Sequence, residues 1–356
     1  MKTNNLSKSI ENSFRKQVRK DSKIKNAYLL VHSEKEGIHI NIAEGSTGTM
    51  PANPQQPIYM ASVGKLFTSA IIGILVDRGK LSFDDEITKY LDHELTNNLH
   101  IYNGKDYTDE VKIKHLLNQT SGLADDFRPL LGKLIKDQNL NITPREAVTW
   151  VKNNEKPHFP PGEGFKYTDT NYHLIGLIIE SITGEPFHVV LRKYIFEPLD
   201  MRHSYMHQFS EPIESSQFPT ADFFIDKTKL NDIKGYAGLD YTGGGVVAPT
   251  EDLLKFMKAL VSYQIVTKNM LEEMKDNCVR FGLGIDYGYG IWKIKTVPLV
   301  MPEKLNSWGV AGATGAFMFY HPGKDSYIIG SFNDFSYERK GVRFMLLNVI
   351  KQLSKY

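Results

Sequence analysis

At 356 residues, 41% apolar and 24% charged, the chain has the balance of a soluble globular protein with room for one large domain or two of ordinary size. A net charge of +2 with the signs interspersed excludes the strongly basic surface of a nucleic-acid binder, and leaves "RKQVRKDSKIK" (15–25) as a solvated face. The single cysteine, Cys278, excludes an internal disulfide and a CxxC zinc framework.

The N-terminal stretch "MKTNNLSKSIENSFRK" lacks the apolar core of a secretory signal, and no segment reaches bilayer-spanning length. The expectation is a cytoplasmic protein without a membrane span, or a secreted one if a leader has been trimmed. Leu6, Ile10, Phe14 and Val18 recur every fourth residue and line one face of a helix, leaving lysines and arginines outside. "NAYLLVHS" (26–33) and "GIHINIAEG" (37–45), either side of the turn "EKEG", predict an antiparallel hairpin. From there the chain turns helical: "VKIKHLLNQ", "TPREAVTWVKN", "TNYHLIGLIIESITG", "EPFHVVLRKYIF" and "TEDLLKFMKALVSY" all carry helical spacing. Thr143, Pro144 and Glu146 supply N-cap, N1 and N3 of a capping box, and Gly184 closes the helix that begins near Thr170. Strands return in "YGYGIWKIK" and in "GAFMFYHPGKDSYIIGSFND", a hairpin on a Pro-Gly turn, before "GVRFMLLNVIKQLSK" ends the chain as an amphipathic helix.

Strands at both ends with helices between them predict an α+β fold. One antiparallel sheet is built from residues 1–80 and 281–356 and flanked by the terminal helices, with a mainly helical domain inserted over 81–280. The seam is where a ligand cleft is expected. No internal repeat or low-complexity tract interrupts this pattern.

Ser-x-x-Lys occurs three times, at Ser13/Lys16, Ser22/Lys25 and Ser62/Lys65. In the first two the lysine lies among solvated charges, keeps its ordinary pKa and cannot take a proton from serine at neutral pH. Ser62 differs. The loop "MPANPQQPIY" cannot be helical through its three prolines, whereas "LFTSAIIGILV" is an apolar helix, so Ser62 falls at or near a helix N-terminus. There its backbone N–H is free to help hold an oxyanion, and the i,i+3 spacing sets the Lys65 amine beside the hydroxyl. Desolvation on a buried helix is expected to lower the lysine's pKa toward that of a base. The bland alternative is an N-cap serine with a lysine that snorkels to water.

A second proton carrier is needed for the leaving group, and a tyrosine with lowered pKa beside a lysine can serve. "YTD" appears at 107–109, in the polar stretch "NGKDYTDEVK", and at 167–169, directly before an apolar helix whose Ile175, Ile178, Ile179 and Ile182 form one stripe. Tyr167 is therefore the candidate, on a loop anchored by a buried helix. The third element is "SWGVAGATGAFMFY" (307–320), where small residues including Gly312 and Ala313 allow substrate to approach a strand backbone and complete an oxyanion hole. Read blandly, it is a bulge that bends the sheet.

These segments, in this order, resemble the serine β-lactamase and penicillin-recognising superfamily, most closely its class C-like branch of DD-peptidases, D-amino-acid peptidases and esterases. "LSFDDEITKYL", "HLLNQTSGL", "PGEGFKYTDTNYHLIGLIIESITG", "EPLDMRHSYM", "GGGVVAPTEDLLKF" and "GVAGATGAF" extend the resemblance over nearly the whole chain. It implies that Ser62 is acylated, that Lys65 and Tyr167 share proton transfer, and that the amides of Ser62 and Ala313 form the oxyanion hole. Two residues depart from the pattern. Asp169 stands where the second motif usually has asparagine, and when ionised it accepts but cannot donate. Val310 is expected at a substrate-binding position of the strand, where these enzymes usually carry a lysine or histidine that attracts a substrate carboxylate, which valine cannot do.

The expected activity is a serine hydrolase forming a covalent acyl-enzyme with a small-molecule ester, amide or peptide, and requiring no cofactor or metal. The alternatives are a DD-carboxypeptidase, D-aminopeptidase or weak β-lactamase, and, from another class, a non-catalytic binding or sensor domain. "HSYMH" places His203 and His207 at i,i+4 without the further ligands that tight metal binding needs, so both are expected at the surface or in packing. Loops 124–142 and 207–235 are expected to shape the pocket.

Overall fold

The computed structural model describes residues 2–355. The hairpin read near the N-terminus is present as β1 (Asn26–Ser33) and β2 (Ile38–Thr47), extended by β3 (Met50–Pro51). Six strands follow late in the chain: β4 (Val279–Gly282), β5 (Ile285–Tyr287), β6 (Trp292–Ile294), β7 (Ser307–Gly312), β8 (Ala316–His321) and β9 (Ser326–Ser331). They form one sheet in the order β4-β5-β6-β7-β8-β9-β1-β2-β3, every neighbouring pair antiparallel. The two ends of the sequence meet at β1 and β9, in a register running from Tyr28 opposite Ser331 to His32 opposite Tyr327.

Both faces of this sheet are covered, which is why β1 reads as a continuous apolar run instead of alternating. Ala27, Leu29 and Val31 point to the layer formed by α1 (Lys2–Lys20) and the C-terminal helix that starts at Glu338–Phe344, where Leu6, Ile10, Phe14 and Val18 are buried with Phe344 and Val349. Tyr28 and Leu30 point the other way, into the core shared with α2 (Gly64–Asp77) and α3 (Thr170–Thr183). Helix α2 is buried from Gly64 through Leu75, so packing against sheet and helices, not amphipathicity, holds it. Thr143 and Glu146 form the expected capping box, and Gly184 ends α3 at φ +69°, in the left-handed region that glycine enters without strain. In the α3 stripe Ile175, Ile178 and Ile179 are buried and Ile182 is half-buried.

Two readings are corrected. "YGYGIWKIK" is not one strand: β5 ends at Tyr287 and β6 starts at Trp292, because Gly290 turns the chain at φ +69° against α2. A side chain there would lie 2.4 Å from Ser69 Oγ and 3.0 Å from the Lys65 carbonyl. The stretch 124–142 is not all loop, since Phe127–Lys136 is a helix burying Phe127, Leu130, Leu131 and Leu134. Among the described residues no single helix is long and apolar enough to cross a membrane. The pair Thr170–Thr183 and Phe187–Phe196 reaches that length only together, is bent by 76°, and contributes to the buried core.

Candidate active site

The proline-bearing loop ends in a short strand, Ile58–Tyr59, that pairs with Val246–Ala248, and Met60 N donates to Val246 O at 3.0 Å. The chain then turns sharply. Ala61 has φ +48°, a costly conformation for a side-chain-bearing residue, and a tight turn over Ala61–Val63 feeds directly into α2. Ser62 is thereby set at the helix N-terminus, partly exposed to solvent. The end of β7 closes on it: a methyl group on Gly312 would lie 2.6 Å from Met60 O and 3.2 Å from Ser62 N. Gly315 N bonds back to Gly312 O at 3.1 Å, and that turn carries the Ala313 amide. Ser62, Tyr167, Asp169, Gly312 and Ala313 all line one cavity of about 510 Å³.

Lys65 is fully buried one turn along α2. Its ammonium has three protons and meets three acceptors: Ser62 Oγ at 3.4 Å, Gly243 O at 3.0 Å and a short ion pair with Asp169 Oδ1. The expected lowering of its pKa is not found. Burial does disfavour the charged amine, but Asp169, Tyr167 and Asp240 outweigh it, and Lys65 is held well above its ordinary value. The resting lysine is a charged donor, not a free base.

Tyr167 sits with its hydroxyl toward Ser62 and Lys65, the Lys65 nitrogen 5.3 Å from its ring centre. Its pKa also departs from expectation. Burial raises it, the Lys65 charge offsets this only partly, and the phenol keeps its proton. The loop is rigid for a definable reason, since its polar groups are taken up by residues 119–126. Thr168 N donates to Gln119 Oε1 at 3.0 Å, Thr168 Oγ1 to Ala124 O at 2.9 Å, and Asp169 N to Asp125 Oδ1 at 2.9 Å. Thr170 Oγ1 and His173 Nε2 bind the two oxygens of buried Asp126 at 2.8 and 3.0 Å.

The remaining assignments divide. Val310, expected to face substrate, is 1% exposed and packs in the core with Met60 and Met318, so its side chain is not part of the cavity wall. His207 is buried edge-on against Tyr59 and Phe223, and His203 binds Glu214 O, both packing roles. Loop 207–235 walls a separate cavity of about 660 Å³, not the one at Ser62. Lys16, Ser22 and Lys25 are exposed and Ser13 is bonded along its helix, so those Ser-x-x-Lys pairs stay on the surface.

Sequence reasoning named Asp169 but missed two further carboxylates, Asp240 and Asp125. Asp240 is 3% exposed, accepts a short bond from the Tyr59 hydroxyl, and is pushed up to about 7 by burial, with Asp169 adding to the shift and Lys65 opposing it. Asp125 lines the cavity and is pushed up to about 6 by burial and by the charges of Asp169 and Asp126. The available signals were acids isolated in apolar or glycine-rich context, "GLADDF" and "AGLDYTGGG".

The sheet from both termini, the buried helix headed by a serine turn and the strand that closes on it make up the β-lactamase/transpeptidase-like architecture. The chain belongs to the Beta-lactamase family, whose model matches residues 17–348. Protein flp of Staphylococcus aureus (strain MW2) is 32% identical over 157 residues, covering 44% of this chain and 29% of that protein, so the chain spans under a third of this relative. Among solved structures, D-amino acid amidase from Ochrobactrum anthropi SV3 superposes with a TM-score of 0.79 at 21% identity, over 98% of this chain and 99% of that one. EstCE1, a hydrolase with promiscuous acyltransferase activity, superposes with a TM-score of 0.78 at 19% identity, over 99% of both chains.

Proposed function

We propose that this chain is a serine hydrolase that cleaves esters or amides through an acyl-enzyme on Ser62. The observation that carries the reading is the Ser62 hydroxyl, 3.4 Å from a buried lysine, opening onto a cavity walled by the strand end Gly312–Ala313. Ser62 Oγ attacks the substrate carbonyl, and the oxyanion is received by the N–H groups of Ser62 and Ala313. Tyr167, held as a phenol, donates its proton to the departing oxygen or nitrogen and regains one through Lys65. Water then attacks the acyl-enzyme and frees the acid. The fold likeness to a D-amino acid amidase and to a hydrolase with promiscuous acyltransferase activity supports this chemistry. Val310 supplies no cation to the site, whereas Arg128, Lys166 and Arg339 bring positive charge to the cavity wall.

Hydrolysis of p-nitrophenyl butyrate tests the reading. Ser62→Ala is expected to reduce kcat/KM by about 10³-fold or more, and a variant that retains wild-type turnover refutes it. One observation favours amino-acid amides within this class: the Asp125 carboxylate in the cavity wall is poised to hold a substrate ammonium. D-phenylalanine amide should then be hydrolysed faster than its N-acetyl derivative. Equal rates would remove that preference.

A further inference from the structure

The hydrogen bonding of Lys65 leaves the acylation step without an obvious proton acceptor. All three ammonium protons are engaged, and one points at the very hydroxyl that must lose its own. Tyr167 is a phenol and cannot take a second proton. What else surrounds the ammonium is carboxylate, from Asp169 and Asp240, both of which also line the cavity. Gly243 has no side chain, and the site of a Cβ there would lie 3.1 Å from Lys65 Nζ, 3.1 Å from Asp240 Oδ1 and 3.2 Å from Asp169 Oδ1. Nitrogen and both carboxylates therefore gather around one glycine.

Resting on the serine-hydrolase reading above, we propose that Asp169 and Asp240 together form the terminal proton acceptor for activation of Ser62, with Lys65 as the relay between them. Lys65 first gives one of its protons to the carboxylate pair, which leaves a lone pair on Nζ. As the Oγ–acyl bond forms, the Ser62 O–H bond breaks, its proton passes to that lone pair, and the carbonyl π pair moves onto the oxyanion. Lys65 is neutral only in passing and ends charged again, and the carboxylate pair has gained one proton. Both aspartates act through Lys65, so they are positioning and proton-holding residues.

The chemistry suits neutral pH. Burial moves Asp240 up to about 7, so this carboxylate both accepts and returns a proton in that range. The groups facing the pair are few. Tyr59 and Tyr236 flank Asp240 from the nucleophile strand and from the helix Lys234–Leu239, and both stay neutral. Lys65 faces both carboxylates from α2, while Asp125 and the His173–Asp126 pair lie behind Asp169.

The test is the pH profile of kcat/KM for p-nitrophenyl butyrate in wild type, Asp240→Asn and Tyr59→Phe, with fluorophosphonate labelling of Ser62 scored in parallel. Wild type should show an acid limb near the Asp240 value. Asp240→Asn removes the acceptor that titrates near 7, so the limb should leave that position and the plateau fall about tenfold. Tyr59→Phe removes a donor that favours ionised Asp240, so its limb should move up. Limbs that stay in place in both variants, whatever their plateau rates, overturn the relay. An absence of Ser62 labelling in the wild type would instead overturn the underlying hydrolase reading.

Discussion

Placing a methyl group on Gly312 perturbs the contact on which the oxyanion hole depends. The added carbon would sit 2.6 Å from the Met60 carbonyl oxygen and 3.0 Å from Ala61 Cβ, against an ordinary contact of at least 3.4 Å. The nearest atom is backbone, so no side chain can swing aside, and the end of β7 must retreat by about 0.8 Å from the serine turn. Gly312 and Ala313 are consecutive, and the retreat carries the Ala313 N–H away from the position where the oxyanion forms. Losing one such donor costs roughly 10²–10³ in kcat, and a misplacement near 1 Å costs about 10². Gly312→Ala should therefore lower kcat for p-nitrophenyl butyrate by about 10²-fold. KM should change little, because the interaction is made in the transition state. Thermal unfolding run beside the kinetics separates this from loss of fold. A well-folded Gly312→Ala with kcat within threefold of wild type would refute the placement of the hole.

Further outcomes follow from the buried charges. Lys65→Met leaves Asp169 and Asp240 without their cation and should destabilise the fold by roughly 3–5 kcal/mol at neutral pH. Denaturant titrations should show the deficit shrinking toward pH 4, where Asp240 is protonated; an equal deficit at both pH values contradicts the pairing. Asp240→Asn should be more stable than wild type at pH 8. The folded-state pKa of Asp240 lies above its unfolded value, so the stability tied to its proton is present in acid and lost as pH rises through about 7. Matching urea midpoints at pH 8 would count against this. His173 is opposed by burial but raised overall by Asp126, so its contribution is full below about 6.5 and lost as pH rises through the higher folded value. Replacing His173 with Asn should flatten the decline in stability above neutral pH, and an unchanged slope would mean that the pair does not titrate there.

The parts of this molecule that were legible in the sequence are those written in short range. The hairpin 26–47, the Thr143 capping box and the Gly184 stop depend on neighbours a few residues apart, and the motif order carried the fold class. The split of "YGYGIWKIK" was hidden because its cause is tertiary, the passage of Gly290 over α2. The ionisation state of Lys65 was hidden for the same reason. Burial could be read from the apolar helix, but the opposing charges come from Asp169, 104 positions away, and from Asp240, itself held by Tyr59 across 181 positions. Local context supplied the desolvation, and only the folded chain supplied the counter-charges. Val310 was misplaced because motif position fixes a residue's place on the strand, whereas the surrounding apolar packing sets its burial.

The most direct test of the covalent chemistry is mass spectrometry of the full chain after exposure to a fluorophosphonate, followed by peptide mapping. The account predicts a single adduct on the peptide containing Ser62, absent in Ser62→Ala and slowed in Lys65→Met. An adduct that persists in Ser62→Ala, or a wild-type chain that hydrolyses esters while its Ser62 peptide stays unmodified, would contradict it.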